Sequence, residues 1–183
     1  RRLIDTIPED RVKEAVAKGY HKLLAYKDEY EVARLHRETR KRAEETFDGV
    51  GVITYHLAPP ILSKIGSDGR PIKRKFGHVM ERLFPVLALL KILRGTPLDI
   101  FGYTVERKME LALIKQYECD MAAVLPKLSD ETEDVITALA ELPMMIRGFG
   151  PVKRANEKKA AKKRIELLTE LENLGYGLCR AAE

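Results

Sequence analysis

The stretch Tyr26 to Tyr30, reading YKDEY, places two aromatic rings about one helical turn apart around Lys27, Asp28 and Glu29, with Arg34 a further turn on. Hydroxyls, carboxylates and a guanidinium gathered in this way could hold the polar group of a ligand. The same residues suit a helix junction, where the tyrosines are half buried and the charges satisfy helix ends, and this structural reading is the stronger of the two. The four histidines, His21, His36, His56 and His78, stand singly with no H-x-x-x-H pair, and a metal site needs several ligands converging at fixed spacing. His56 has the most suggestive setting, beside a possible strand end and Pro59-Pro60; a half-buried histidine bonded to backbone is the favoured reading there too. Gly66-Ser67-Asp68-Gly69 lacks the Lys-Ser/Thr continuation of a phosphate loop and reads as a turn, and no G-x-S-x-G elbow is present. Cys119 and Cys179 have neither metal-type spacing nor the density of a disulfide scaffold, which points to a reducing compartment. No catalytic residue and no metal ligand is assigned.

Charge is the second source of chemistry. The chain carries +5, but Arg147 to Arg164 alone carries +7, leaving −2 for the remainder. Arg70, Lys73, Arg74 and Lys75 form another basic patch beside Phe76. Such patches could contact an acidic protein surface, or nucleic acid through its phosphates. Runs of this kind are more often solvated faces, and the acidic stretch Asp130 to Asp134 offers an internal partner.

The elements that must position these groups are mainly helical. The chain is organised around Leu93 to Glu118. There Arg94-Gly95 can close a helix, Pro97 forbids its continuation, Gly102 adds a permissive point, and Thr104 can cap the next helix with Glu106 in its first turn. Before it, Val12, Val16, Gly19, Tyr20 and Leu23 trace a buried stripe on a helix from about Pro8 to Tyr26. Asp28 to Glu45 reads as a charged, partly exposed helix with Tyr30, Ala33 and Leu35 as its apolar content. Phe47 to Gly49 breaks that helix. Gly51 to Leu57 has strand composition and ends at Pro59-Pro60, and Arg70 to Phe76 could pair back on it after a turn at Ser67-Asp68-Gly69. Phe76 to Arg94, with Pro85 inside it, is the expected central core helix, kinked or restarted at the proline. Beyond the organising loop, a helix from Thr104 to Leu125 carries the face Ile114, Tyr117, Met121, Val124, Leu125 and Leu128. Ser129 is expected to cap the next helix, whose apolar side is Val135, Ile136, Leu139 and Leu142. A last helix, from about Pro151 to Asn173, is expected to bury Ala161, Ile165, Leu168 and Leu171.

A length of 183 residues is enough for one core of ordinary size, so a single domain over 1–183 is expected. The fold class expected is mainly α, with about six helices and a small β hairpin. No run approaches the roughly 20 apolar residues of a membrane span. The chain begins at Arg1 and has no signal-peptide architecture, and it reads as a fragment of something longer.

Five stretches taken together carry a family resemblance: LLAYKDEYEVARL (23–35), HLAPPIL (56–62), GRPIKRKFG (69–77), LRGTPLDIFGYTVERKMELALI (93–114) and IRGFGPVKRAN (146–156). In this order they resemble the C-terminal region of the long, single-chain indolepyruvate ferredoxin oxidoreductases, members of the thiamine-dependent 2-oxoacid:ferredoxin oxidoreductases. The resemblance implies a cytoplasmic, homo-oligomeric parent enzyme that oxidatively decarboxylates aryl 2-oxoacids to acyl-CoA and passes electrons to ferredoxin. It also implies that thiamine diphosphate, Mg and the iron-sulfur clusters are held by other domains, with no cofactor in this segment. The segment would then be an accessory domain, itself non-catalytic, docked on the catalytic domains of the same chain, with CoA as a further candidate partner. Its motif positions Tyr26, Asp28, Glu29, Arg34, His56, Arg94, Asp99, Tyr103, Arg147 and Gly148 are the candidates for an interdomain or ligand surface. The alternatives are an independent basic module for an acidic protein or, less favoured, nucleic acid, and a small anion- or CoA-binding domain. No membrane partner is expected.

Overall fold

The computed structural model describes residues 10–49, 51–57, 66, 72–148 and 150–176. The chain is mainly helical with a two-stranded antiparallel ribbon, the class its composition and periodicity predict. Backbone contacts divide the described residues into two compact units, 10–26 with 109–176, and 27–108. Among the described residues no helix is long and apolar enough to cross a membrane.

The first unit contains α1 (Asp10–Leu24), α6 (Glu133–Glu141), α7 (Pro151–Asn173) and the part of α5 (Val105–Val124) from Met109 onward. Its core is built from the predicted stripes. Val12, Val16 and Leu23 of α1 meet Tyr117, Met121 and Val124 of α5, Ile136 and Leu139 of α6, and Leu167 and Leu171 of α7. Gly19 lets α1 approach closely, since a Cβ there would lie 2.2 Å from the Ala140 carbonyl oxygen and 2.7 Å from the Tyr117 hydroxyl. That hydroxyl lies 3.2 and 3.1 Å from the carbonyl oxygens of Val16 and Ala140, and burial pushes its pKa up.

Three local expectations are corrected here. Leu171 of α7 is buried as expected and Leu168 is half-buried against the core, but Ala160 and Leu167 complete the inward face in place of Ala161 and Ile165, which are exposed. In the turn between Ala160 and Leu167, Arg164 is half-buried and donates two hydrogen bonds to Asp120 at 2.6 and 2.5 Å. The acidic stretch pairs with Arg11 through Glu133 and Asp134 in the first turn of α6, while the basic helix finds its partners on α5, Lys153 with Glu110 and Arg164 with Asp120. The N-cap position of α6 belongs to Thr132 rather than Ser129. The fully buried Thr132 hydroxyl accepts from the Ser129 N–H and donates to the Lys127 carbonyl, so it ties the turn ahead of the helix.

The second unit contains α2 (Glu29–His36), α3 (Thr39–Thr46), β1 (Tyr55–Leu57), β2 (Arg74–Phe76), α4 (His78–Leu89) and a 3-10 turn at Leu90–Leu93. The charged pattern from Asp28 to Glu45 is therefore two helices. α3 has no buried residue, so no apolar stripe holds it in line with α2. The ribbon is shorter than the strand composition suggests, with Tyr55 opposite Phe76, His56 opposite Lys75 and Leu57 opposite Arg74. The expected stops and turn at Pro59-Pro60 and Ser67-Asp68-Gly69 lie outside the described residues. Ala33, Tyr55, Met80 and Phe84 form a small core, with the His36 ring 5.5 Å from Tyr55 and 5.1 Å from Phe84. α4 is not the central core helix expected of it. Met80 and Phe84 alone are buried along it, and the helix runs through Pro85 as far as Leu89. Composition recorded how apolar this segment is, but its apolar positions surround the helix and do not say which side finds a partner.

Candidate functional site

The strongest convergence of chemistry-bearing side chains lies in the second unit, where the start of α2 meets the loop 94–104 and the start of α5. Asp28 caps α2. Its Oδ1 accepts from the Tyr30 N–H at 3.1 Å, with Asp28 itself in extended backbone geometry, as an N-cap requires. Its other oxygen accepts from Arg94 Nη1 at 2.9 Å. Glu29 in the first turn suits the helix dipole and accepts from Arg107 Nη2 at 2.9 Å, and the same nitrogen lies 3.7 Å from Asp28 Oδ1. Asp28 and Arg107 are both buried, while Glu29 is half-buried and Arg94 exposed, so the ion pairs run from the interior of the unit to its surface.

Beside this ion-pair group sits Asp99, which organises the loop. Gly95, at φ +76°, turns the chain after the 3-10 segment, and its N–H donates to Asp99 Oδ2 at 3.0 Å. Asp99 Oδ1 accepts from the N–H groups of Phe101 (3.2 Å) and Gly102 (3.1 Å) and from the Tyr30 hydroxyl (2.9 Å). Gly102 is needed here for space, since a Cβ would lie 3.1 Å from the Asp99 carboxyl carbon. The Tyr30 and Phe101 rings meet edge to face at 5.0 Å. The Thr104 hydroxyl accepts from the Arg107 N–H and so caps α5 as predicted. Burial alone would push the Asp99 pKa up, but the N–H of Gly95, the Tyr30 hydroxyl and the N–H groups of Gly102 and Phe101 together hold it below the ordinary range. Burial, then the Asp99 hydrogen bond and charge, push the Tyr30 hydroxyl up to about 12.

Of the ten candidate positions, this network unites Asp28, Glu29, Arg94 and Asp99. Five others, Arg34, His56, Tyr103, Arg147 and Gly148, are placed elsewhere by the bonds and exposure described next. Arg34 is exposed and pairs with Glu31 at 2.6 Å; Glu31 also accepts from Lys91, and these two bonds draw its pKa down to about 2. Tyr103 is exposed, donates to the Pro97 carbonyl at 2.8 Å and has the Lys108 ammonium 6.0 Å from its ring centre. His56 is exposed on β1. Tyr26 is half-buried and belongs to the first unit by its contacts. Arg147 and Gly148 shape the turn into α7. Arg147 Nε donates to the Met144 carbonyl, its own carbonyl accepts from Asn156, and Gly148 has φ +96°.

Sequence reasoning missed Arg107, and it weighed Tyr30 as a ring of the YKDEY cluster without placing it among the ten candidate positions. Arg107 carried a readable signal, because a cation in the first turn of a helix opposes the dipole and calls for a specific anionic partner. Among the described residues no three His, Cys, Asp or Glu side chains are placed to hold a metal ion. The first unit has a crevice of about 50 Å³ lined by Leu113, Tyr117, Leu142, Ile146 and Ala160, with Asp120 and Arg164 among its polar lining. That is room for a methyl-sized group or a water molecule rather than a substrate.

Residues 2–166, nearly the whole chain, match the sequence pattern of a family described as a family of unknown function (DUF6537). The chain belongs to this family. No curated protein and no solved structure matches it. The resemblance-bearing stretches 23–35 and 93–114 of this DUF6537 chain supply every residue of the Asp28–Asp99 network. Within that network the carboxylates of Asp28, Glu29 and Asp99 all accept from groups of the same unit. The arrangement fixes the relative position of two helix starts and one loop.

Proposed function

We propose that this chain is an accessory domain of an indolepyruvate-type 2-oxoacid:ferredoxin oxidoreductase, a cytoplasmic enzyme whose thiamine diphosphate, Mg and iron-sulfur chemistry is held by other domains. The observation that supports an accessory rather than a chemical role is the use made of the motif residues. Asp28, Glu29, Arg94 and Asp99 spend their polar groups on Tyr30, Arg107 and the loop backbone, so they position elements and present no poised acid, base or nucleophile. On this reading the domain contacts the catalytic domains of the parent chain, and ferredoxin and CoA are partners of the whole enzyme. The test compares the natural full-length product with the 183-residue chain alone, each supplied with indolepyruvate, CoA and ferredoxin. The expected result is acyl-CoA formation by the first and none by the second. Turnover by the short chain would sink the accessory role, and an inert full-length product would sink the parent enzyme.

A second reading, a basic module for an acidic partner, is favoured by one observation. Lys158, Lys159 and Lys162 project from α7 as exposed residues, while Lys153 and Arg164 on the same helix are tied to Glu110 and Asp120. Retention on an anionic resin that collapses between low and moderate salt, and is lost on changing the three exposed lysines to Gln, is the result this reading requires. Retention unaffected by the triple change would remove it.

A further inference from the structure

The outer side of α4 and of the 3-10 turn that follows is apolar and uncovered. Val79, Leu83, Val86, Leu89 and Ile92 recur at intervals of four, three, three and three, and are 70, 41, 52, 72 and 85% exposed. The opposite side of the helix, through Met80 and Phe84, is packed on Ala33 and Tyr55. A helix apolar on both sides needs both covered, and among the described residues only one is. The five side chains leave on the order of 500 Å² of apolar surface in a continuous ridge, at the upper end of the largest patch on a typical monomer. A standard interface takes about 800 Å² from each partner, so the ridge has the size of an interface centre.

The segment that carries the ridge has an excess of one sign of charge. Residues 72–94 carry Lys73, Arg74, Lys75, Arg82, Lys91 and Arg94 against Glu81 alone, a net +5. Glu81 is itself occupied by Arg40 and His78. Lys91 and Arg94 are drawn to Glu31 and Asp28, whereas Lys73, Arg74, Lys75 and Arg82 are exposed. In a two-fold contact a second copy would bring the same positive rim against this one, which like-charge repulsion opposes. A membrane surface is also a poor fit. Helices that lie in the lipid interface show a strongly polar face opposite the apolar one and use aromatic anchors. The exposed ridge here has no aromatic residue and the other side of α4 is buried core. We propose that the ridge from Val79 to Ile92 docks on a protein surface with an apolar centre and an acidic rim. Joined to the accessory-domain reading on which this last step rests, that surface belongs to a catalytic domain of the parent chain.

The experiment places a photo-crosslinking amino acid at Leu89, and separately at Ile92, in the natural full-length product, with the exposed Ile165 of α7 as the control position. Both ridge sites are expected to form adducts on one Asp/Glu-rimmed segment outside these 183 residues. The yield should fall by about tenfold when Lys75→Glu and Arg82→Glu reverse the rim charge. Position 165 should give no adduct on that segment. Adducts on the same ridge of a second copy, on lipid, within these 183 residues, or none at all would overturn the proposal. An adduct on an acidic-rimmed surface of a separate protein would uphold the docking ridge and remove the parent-chain reading, so the two fail separately.

Discussion

Asp99→Ala removes the acceptor for four hydrogen bonds at once, from Gly95, Phe101 and Gly102 N–H groups and from the Tyr30 hydroxyl. The groups left behind set the magnitude. Gly95 is exposed and its N–H can turn to water, so its bond counts for little. Tyr30 and Phe101 are 1% and 7% exposed, and their donors would be left buried without acceptors. With a charged acceptor each such loss is worth about 1.5–3 kcal/mol, so the substitution is expected to cost about 3–6 kcal/mol in the second unit. Asp99→Asn keeps one oxygen but turns an amide nitrogen toward the Gly95 N–H, for a cost of about 1–2 kcal/mol. Tyr30→Phe leaves Asp99 its three backbone donors and should cost about 1 kcal/mol. Urea unfolding gives the totals. Native-state hydrogen exchange at the amides of residues 95, 101 and 102 assigns them to the loop, where the alanine variant should lose protection while α6 keeps it. A cost below about 1 kcal/mol for Asp99→Ala, or unchanged exchange at those three amides, would refute the claim that this carboxylate organises the loop.

Other perturbations reach the remaining links of the account. Arg107→Met takes from the half-buried Glu29 its 2.9 Å partner while Asp28 keeps Arg94, and should cost about 1.5–3 kcal/mol; Glu29→Gln combined with it should cost less than the two changes summed, as a double-mutant cycle in urea would report. Gly19→Ala drives a methyl into the Ala140 carbonyl and should lower stability by about 3 kcal/mol or more, read as a fall in the Tm of the first unit. Thr137 Oγ1 is buried without a partner among the described residues, so Thr137→Val should raise stability by about 1 kcal/mol, seen as a higher urea midpoint. The Tyr30 hydroxyl is raised from 10.0 to about 12 on folding, so its contribution is complete below pH 10 and is lost as the pH rises from there toward 12. Tyr30→Phe should therefore flatten that alkaline loss in the second unit. The depressed pKa of Asp99 acts in the opposite direction, with its contribution lost as pH falls below the ordinary carboxylate value of 3.8, and Asp99→Asn should flatten the acid limb.

Periodicity carried much of the architecture. The α1 stripe at Val12, Val16, Gly19 and Leu23 and the α6 face at Val135, Ile136, Leu139 and Leu142 were legible because repeated burial on one side of a helix leaves a regular trace. The loop after Leu93 was legible for a different reason. Gly95, Pro97 and Thr104 are residue types with narrow backbone and capping roles, and Gly95 does adopt the left-handed region. Pairings between distant charges left no such trace. Nothing local links Asp28 to Arg94, Glu29 to Arg107 or Tyr30 to Asp99, which are separated by 66, 78 and 69 positions. The same limit explains α7, where Arg164 looks like part of a solvated basic run but bonds to Asp120, 44 positions away. In α4 the residues were rightly read as apolar, but a helix apolar all round has no phase from which its buried side can be chosen.

The central claim, that this chain serves as one domain of a larger oxidoreductase, is tested most directly by the intact mass and peptide map of the natural gene product. The account predicts a polypeptide several times longer than 183 residues that also holds a thiamine diphosphate-binding segment and clustered cysteines. A natural product that begins close to Arg1 and contains neither would contradict it, and would leave the basic helix α7 as the leading guide to function.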